Sequence, residues 1–218
     1  MFAGQSLRRH DGDDYVAGRV HYTDDLSLPG TTHVVLVRSE VPHARFTVDA
    51  EAALACPGVL MVATGRDLAE HVGPIPNAMD PAPTGGQELK LHVLPIDKVV
   101  YVGQPIAAVV AETMQDALEA AARVRVSYEP LPHVLTADDA LAEGAPLLYE
   151  SWGTNVMLAG TAGHGDVEDL TAQSSSVVRG TLRTGRGAPA PMEPRVYVAD
   201  WSTRSRRLTW YGTTQAPH

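Results

Sequence analysis

The sequence predicts an α+β protein in which a domain of mixed helices and strands over residues 1–150 precedes a β-rich extension over residues 151–218. Two observations carry this prediction. An apolar strand, an amphipathic helix and an alternating strand follow one another between residues 105 and 128, which is typical of a layer of helices packed on strands. Glycine then becomes frequent between residues 151 and 165, which breaks any long element, so we place the domain boundary there.

The first part of the chain alternates between short apolar runs and turn signals. We expect the strands at 32–38 and 59–63 to be largely buried, and Pro57-Gly58 stops a short alanine-rich helix. The predicted elements are a helical turn within 12–25, strands at 32–38 and 45–48, a helix at 50–55, a strand at 59–63 and a helical turn at 66–71. Residues 73–88 hold four prolines and are predicted to form an exposed, mobile loop.

The clearest unit follows that loop. A strand at 105–111 leads into a helix that begins at Thr113, where Thr-Met-Gln-Asp resembles a capping box. Four apolar residues share one face of this helix, namely Met114, Leu118, Ala121 and Ala122. A strand at 124–128 and a short helix at 138–142 complete the first domain.

Three further strands are predicted in the extension, at 174–184, 195–201 and 208–213. The last one is apolar and has no partner after it. Because an open apolar edge invites association, we expect the chain to be the N-terminal portion of a larger protein or one chain of an assembly.

Composition limits the classes of function. The net charge of −9 does not indicate a basic surface that binds nucleic acid. No apolar stretch reaches the length of a membrane span. Cys56 is the only cysteine, so the chain holds neither an internal disulfide nor a cysteine-ligated iron–sulfur cluster, and a small buried thiol is the favoured interpretation. A reducing cytoplasm fits this usage best.

Single motifs do not identify a reaction. The glycines at 160–165 lack the Gly-Lys-Ser/Thr ending of a phosphate loop, so a flexible linker is favoured. The nine histidines show no metal-site spacing, and no Gly-x-Ser-x-Gly elbow is present. The residues taken one by one therefore give no catalytic residue and no metal ligand.

The order of short motifs is more specific than any one of them. These motifs are RS at 38–39, PHARF at 42–46, PGV at 57–59, VGQPIA at 102–107, ET at 112–113, YEPLP at 128–132, GDV at 165–167, PMEP at 191–194 and TQAPH at 214–218. In this order they resemble the opening of the large, molybdenum-binding subunit of the xanthine dehydrogenase and aldehyde oxidase family.

The resemblance implies a fold and a chemistry. The first part is similar to the family's α/β hammerhead domain, and the second to the start of its molybdopterin-binding domain. The implied reaction hydroxylates an aldehyde or an N-heteroaromatic small molecule with oxygen from water, and carbon monoxide oxidation is a variant. The implied cofactors are molybdenum–molybdopterin, with [2Fe–2S] clusters and FAD on partner chains or other segments. The implied partners are the rest of the molybdenum subunit and the iron–sulfur and FAD subunits.

One site residue follows from the resemblance. Gln215 occupies the position of the family's Thr-Gln glutamine, whose side-chain amide donates to a molybdenum oxygen ligand. Without the family, the favoured interpretation is a glutamine that ends an edge strand. The family's glycine-rich motif and its late glutamate are absent, and residues 188–190 are Ala-Pro-Ala where relatives often have histidine or asparagine before PMEP. We expect no catalysis by this chain alone.

Two alternatives stay open at this point. The chain can be an inactive docking module, for the iron–sulfur and FAD subunits, that comes from a truncated or split gene. It can also be an unrelated α/β domain whose likeness to the family is accidental. Substrate identity is not predicted from these residues.

Overall fold

The computed structural model describes residues 3–76, 81, 85–160, 163–185 and 187–214. Within these ranges the helices are α1 Gly12–Val16, α2 Glu51–Leu54, α3 Gly65–Ala69, α4 Met114–Ala121, α5 Ala137–Leu141 and α6 Val167–Gln173. The strands are β1 His33–Arg38, β2 Ala44–Asp49, β3 Val59–Thr64, β4 Lys98–Val99, β5 Pro105–Ala111, β6 Arg125–Pro130, β7 Tyr197–Ser202 and β8 Arg207–Gly212. Short 3₁₀ helices lie at Thr23–Asp25 and Glu150–Trp152. The α+β class is confirmed.

The chain divides into two compact units. One comprises residues 31–170, and the other combines residues 1–30 with residues 171–218. The predicted boundary near residue 151 stays a prediction. Much of the predicted loop, at 77–80 and 82–84, lies outside the described residues, and the part that is described makes one antiparallel bridge, between Ile75 and Leu91.

The first sheet of the larger unit has the antiparallel order β1–β5–β3. Helices α2 and α4 pack on one face of it, over a core of small and branched side chains. The fully buried members of that core include Val109, Ala53 and Ala120, and the alanines let the helices approach the sheet closely. Cys56 lies in the same core as a buried free thiol, which agrees with the interpretation from sequence.

The opposite face of this sheet is partly exposed, so the prediction that the strands at 32–38 and 59–63 are largely buried was wrong. Val34 is 55 % exposed, Leu36 39 % and Met61 48 %. Strand β1 alternates between half-buried and exposed residues, because the described helices of this unit pack on only one side of the sheet. An apolar run cannot by itself distinguish burial on both faces from burial on one.

Helix α4 begins where predicted but packs through a different face. The Thr113 hydroxyl accepts a hydrogen bond from the Asp116 N–H at 3.1 Å, as expected of an N-cap. The buried residues are Ala117 and Ala120, whereas Met114 and Leu118 are about half exposed. The small side chains face the sheet, and of the four residues predicted to share one face only Ala121 packs against this core.

The second sheet has the antiparallel order β4–β2–β6, and β4 was not predicted. Its inner face supplies Ala44, Phe46 and Val99 to a core that Ile106 of β5 completes. Its outer face pairs Arg45 with Glu129 across the strands. The predicted strand–helix–strand unit therefore exists, but its two strands, β5 and β6, belong to different sheets.

The smaller unit contains an antiparallel hairpin of β7 and β8. The strand predicted at 174–184 is wrong, since these residues have no regular structure. Their β-formers are solvent-exposed, with Val178 at 93 % and Leu182 at 97 %, and a strand forms only where a partner pairs with it. Helix α6, at the boundary of the two units, was not predicted. None of the helices in the described ranges is both long and apolar enough to cross a membrane.

Candidate functional site

Several of the short sequence motifs meet in the larger unit and bond to one another. Ser39 N donates to Gln104 O at 2.8 Å, and Gly103 N donates to Ser39 O at 2.7 Å. The buried Gln104 side chain accepts from Val100 N at 2.8 Å. These buried polar groups satisfy the backbone, so the VGQPIA motif is used here for folding.

His43 joins the PHARF motif to the YEPLP motif. Its Nδ1 lies 2.7 Å from the Pro132 carbonyl oxygen, and Leu131 N donates to the His43 carbonyl at 2.9 Å. An Nδ1–H donor accounts for the first contact and leaves Nε2 as an acceptor. Within the described residues Nε2 is buried and has no hydrogen-bond partner. No carboxylate of a described residue is bonded to the ring, so the geometry shown does not form a catalytic His–acid pair.

A cleft of about 320 Å³ lies in the same unit. Tyr149 and Trp152 line it, and their rings are tilted with centroids 4.4 Å apart. Its other lining residues are Gln87, Glu88, Leu89, Lys90 and Ser151. The cleft combines aromatic and charged side chains, and among the described residues no hydrogen bond joins a nucleophile in it to a base.

A lysine fixes the segment that carries the aromatic wall. Lys98 Nζ donates to the Leu148 carbonyl at 2.8 Å and to Glu150 at 2.7 Å. The hydrogen bond from Lys98 lowers the pKa of Glu150, and burial raises the pKa of the Tyr149 hydroxyl. The Lys98 side chain is only 15 % exposed but that of Glu150 is 63 % exposed, so solvent still screens the charge of this pair.

The smaller unit brings the PMEP motif to the end of β8. The Thr213 hydroxyl donates to the Pro194 carbonyl at 3.2 Å. Glu193 Oε1 accepts from Thr23 N at 3.4 Å and from the Thr23 hydroxyl at 3.3 Å. Thr23 and Thr213 therefore both bond to the PMEP motif, and sequence reasoning missed the part that Glu193 plays.

The hairpin next to PMEP is tightly packed at its open end. Tyr197 and Trp210 stack with ring centroids 5.5 Å apart. A Cβ on Gly212 would lie 2.6 Å from the Tyr197 ring and 2.8 Å from Trp210 Nε1. Glycine at 212 therefore permits the aromatic stack to close over the end of β8.

Ala190, directly before PMEP, has a left-handed backbone with φ of 39°. Alanine adopts this region at a cost of roughly 1–2 kcal/mol, and asparagine and histidine tolerate it better than most residues. Position 190 is therefore one where the backbone conformation restricts which residue types fit without strain.

The residue predicted to contact the cofactor, Gln215, lies outside the residues that the structure describes, so its role stays a prediction. In the described part of the chain, no group of three or more His, Cys, Asp or Glu side chains is arranged to hold a metal ion.

The comparisons with known proteins define the class of this chain. Residues 17–132 match the model of the aldehyde oxidase and xanthine dehydrogenase α/β hammerhead domain. Residues 148–218 match the model of the molybdopterin cofactor-binding domain. The chain therefore belongs to the aldehyde oxidase and xanthine dehydrogenase family, as the order of its motifs predicted.

Individual relatives agree with this assignment. The nicotine 6-hydroxylase large subunit of Paenarthrobacter nicotinovorans is 33% identical, over 99% of this chain and 26% of the relative. The xanthine dehydrogenase molybdenum-binding subunit of Escherichia coli O157:H7 is 30% identical, over 96% of this chain and 28% of the relative. Among solved structures, quinoline 2-oxidoreductase from Pseudomonas putida 86 matches with a TM-score of 0.87 and 33% identity, over 98% of this chain and 27% of that one. The chain spans about a quarter of the length of these relatives.

Proposed function

We propose that the chain forms the hammerhead domain and the beginning of the molybdopterin-binding domain of a molybdenum hydroxylase large subunit. The observation that carries the proposal is the pair of family-model matches, which between them span residues 17–132 and 148–218. The contacts among the RS, PHARF, VGQPIA and YEPLP motifs support it, because the residues that carry the resemblance also hold the domain together.

The substrate class of the proposed enzyme is an aldehyde or an N-heteroaromatic ring. Relatives named for nicotine and quinoline support the heteroaromatic alternative. In the reaction, a C–H bond becomes C–OH with oxygen from water, and two electrons and two protons are released. The electrons pass to [2Fe–2S] clusters and FAD, which we assign to partner chains or other segments because the single cysteine of this chain cannot bind a cluster. We also assign the enzyme to the cytoplasm, because a chain with a single cysteine and no internal disulfide fits a reducing compartment.

The test begins with an affinity tag fused to the chromosomal gene in its native host. The native complex is purified, and molybdenum, iron and FAD are measured per mole of the chain. Quinoline, nicotine and an aromatic aldehyde are then supplied in ¹⁸O-labelled water with an artificial electron acceptor. Incorporation of ¹⁸O into one product is expected, whereas a complex without molybdenum and without labelled product would overturn the proposal.

A second candidate function is a docking module without catalysis. The specific observation that favours it is the uncovered apolar face of the first sheet, where Val34, Leu36 and Met61 are exposed. In the same purification, iron–sulfur and FAD proteins without molybdenum would support this module. Molybdenum together with labelled product would reject it.

A further inference from the structure

Glu193 connects two segments that are 170 residues apart in sequence. Its Oε1 accepts both from the backbone N–H of Thr23, at 3.4 Å, and from the Thr23 hydroxyl, at 3.3 Å. Thr23 begins the 3₁₀ helix Thr23–Asp25, and the first N–H groups of a helix have no partner within it. Glu193 therefore supplies the acceptor that the start of this helix lacks.

The contact between Thr23 and Glu193 is a hydrogen bond and not an ion pair. Asp25, in the same turn, already turns back to accept from Tyr22 N at 2.8 Å. The ion pairs in the described part of the chain do not include Glu193. An acceptor oxygen at this position is thus what the contact requires, and the negative charge is secondary.

Glu193 is connected to the end of β8 through the next residue, Pro194. Pro194 follows it directly, and the ring of proline restricts φ to about −65°, so the Pro194 carbonyl is held in a narrow range of orientations. That carbonyl accepts from the Thr213 hydroxyl at 3.2 Å and from Val196 N at 3.1 Å. Thr213 immediately follows the last residue of β8 and stands two residues before Gln215.

We propose that Glu193 is a positioning residue that fixes the exit of β8, the point from which the chain runs into Gln215. The inference rests on the proposed function, since it matters for catalysis only if Gln215 serves the molybdenum site. The path runs from Thr23 through Glu193 and Pro194 to Thr213. Loss of the acceptor at position 193 removes the bonds to Thr23, and loss of the hydroxyl at position 213 removes the bond to the Pro194 carbonyl.

Hydrogen exchange in the 218-residue chain tests the path directly. Glu193→Ala and Thr213→Val are expected to speed amide exchange at Val196, whose N–H shares the Pro194 carbonyl with the Thr213 hydroxyl, about tenfold, as for loss of one local hydrogen bond. The matched variants Glu193→Gln and Thr213→Ser keep an acceptor and a hydroxyl and should restore slow exchange. Wild-type exchange at Val196 in Glu193→Ala would overturn the inference.

Kinetics of the native complex test the consequence for catalysis. Glu193→Ala and Thr213→Val are expected to slow reduction of the enzyme by substrate about tenfold, with unchanged KM and molybdenum content, because loss of alignment acts on the chemical step. Glu193→Gln and Thr213→Ser should recover most of that rate.

Gln215→Ala separates the two proposals. If it slows reduction and Glu193→Ala does not, positioning by Glu193 is wrong and the proposed function stands. A wild-type complex without molybdenum overturns the proposed function, and with it the role toward Gln215.

Discussion

Close approach of backbone to backbone determines residue identity at the start of α3. A Cβ on Gly65 would lie 2.2 Å from the Pro95 carbonyl oxygen and 2.6 Å from that of Leu94. Both atoms belong to main chain that cannot rotate away. Glycine at 65 therefore lets the segment that leads into the second sheet pass over the end of β3.

Gly65→Ala is expected to destabilise the chain by about 2–3 kcal/mol, because the added methyl group forces the backbone apart. The free energy of unfolding in urea measures the effect. Gly73→Ala is the matched control, since a Cβ there meets no atom within 4 Å. Equal stabilities of the two variants would show that the close approach does not constrain position 65.

Gln215→Ala in the native complex is expected to slow enzyme reduction by roughly a hundredfold, which corresponds to about 3 kcal/mol for the loss of one preorganised donor. The change in unfolding free energy should stay below about 0.5 kcal/mol, as for an ordinary strand-end substitution. Stopped-flow reduction at matched molybdenum content measures the rate. A variant as fast as wild type would return Gln215 to a purely structural role.

At the scale of elements, short helices in this chain depend on local caps. Thr64 N and the Thr64 hydroxyl both donate to Asp67 Oδ2, at 2.8 Å and 2.7 Å, and so begin α3. The hydrogen bond from the Thr64 side chain is the main reason that the pKa of Asp67 is lowered from 3.8. Because the folded-state pKa is depressed, the stabilisation is complete above about pH 4 and is lost as the pH falls through the folded-state value.

Asp67→Asn is therefore expected to lower stability at pH 7 and to make little difference at pH 2. The effect should be below about 1 kcal/mol, since the carboxylate is mostly exposed and screened by water. Urea unfolding of wild type and variant at both pH values measures the difference. A destabilisation of the same size at both values would assign the effect to packing and not to the charge.

The first sheet presents a second element-scale feature, an apolar face that none of the described helices of the larger unit covers. The exposed side chains on β1 and β3 include Val34, Leu36 and Met61. Because such patches promote association, we expect the isolated chain to self-associate at micromolar concentration. Among the described strands β8 pairs only with β7, so its other edge, which the sequence analysis singled out, is a second surface that can promote association.

The double substitution Leu36→Lys and Met61→Lys is expected to shift the chain toward monomer, because lysine on edge strands opposes pairing with another chain. Sedimentation velocity measures the distribution of species. Thr47→Lys, on the exposed outer face of the second sheet, is the control and should leave the distribution unchanged. A wild-type chain that is already a clean monomer would contradict the prediction.

At the scale of the whole molecule, the chain carries about a quarter of the length of its curated relatives. We therefore expect that the isolated chain does not retain molybdenum when it is produced in a host that makes the cofactor. Metal analysis after gel filtration measures the molybdenum per chain. A near-stoichiometric amount would show that the 218 residues contain a complete cofactor site.

Local patterns in the sequence determined much of the fold. The boundaries of β5 and the cap of α4 follow from apolar runs and from Thr113, whose partner Asp116 is three residues away. The order of the motifs identified the family, and the glutamine of the last motif marked the expected site. Each of these signals depends on residues that are neighbours in the chain, so they can be recognised without a structure.

Only the tertiary structure decided which surfaces meet. It placed β5 and β6 in different sheets, packed α4 through Ala117 and Ala120, and left residues 174–184 without a strand. It also joined Thr23 to Glu193 across 170 residues. The physical reason is that propensity and capping act within a few residues, whereas burial and long-range hydrogen bonds depend on a partner surface that the local sequence does not encode.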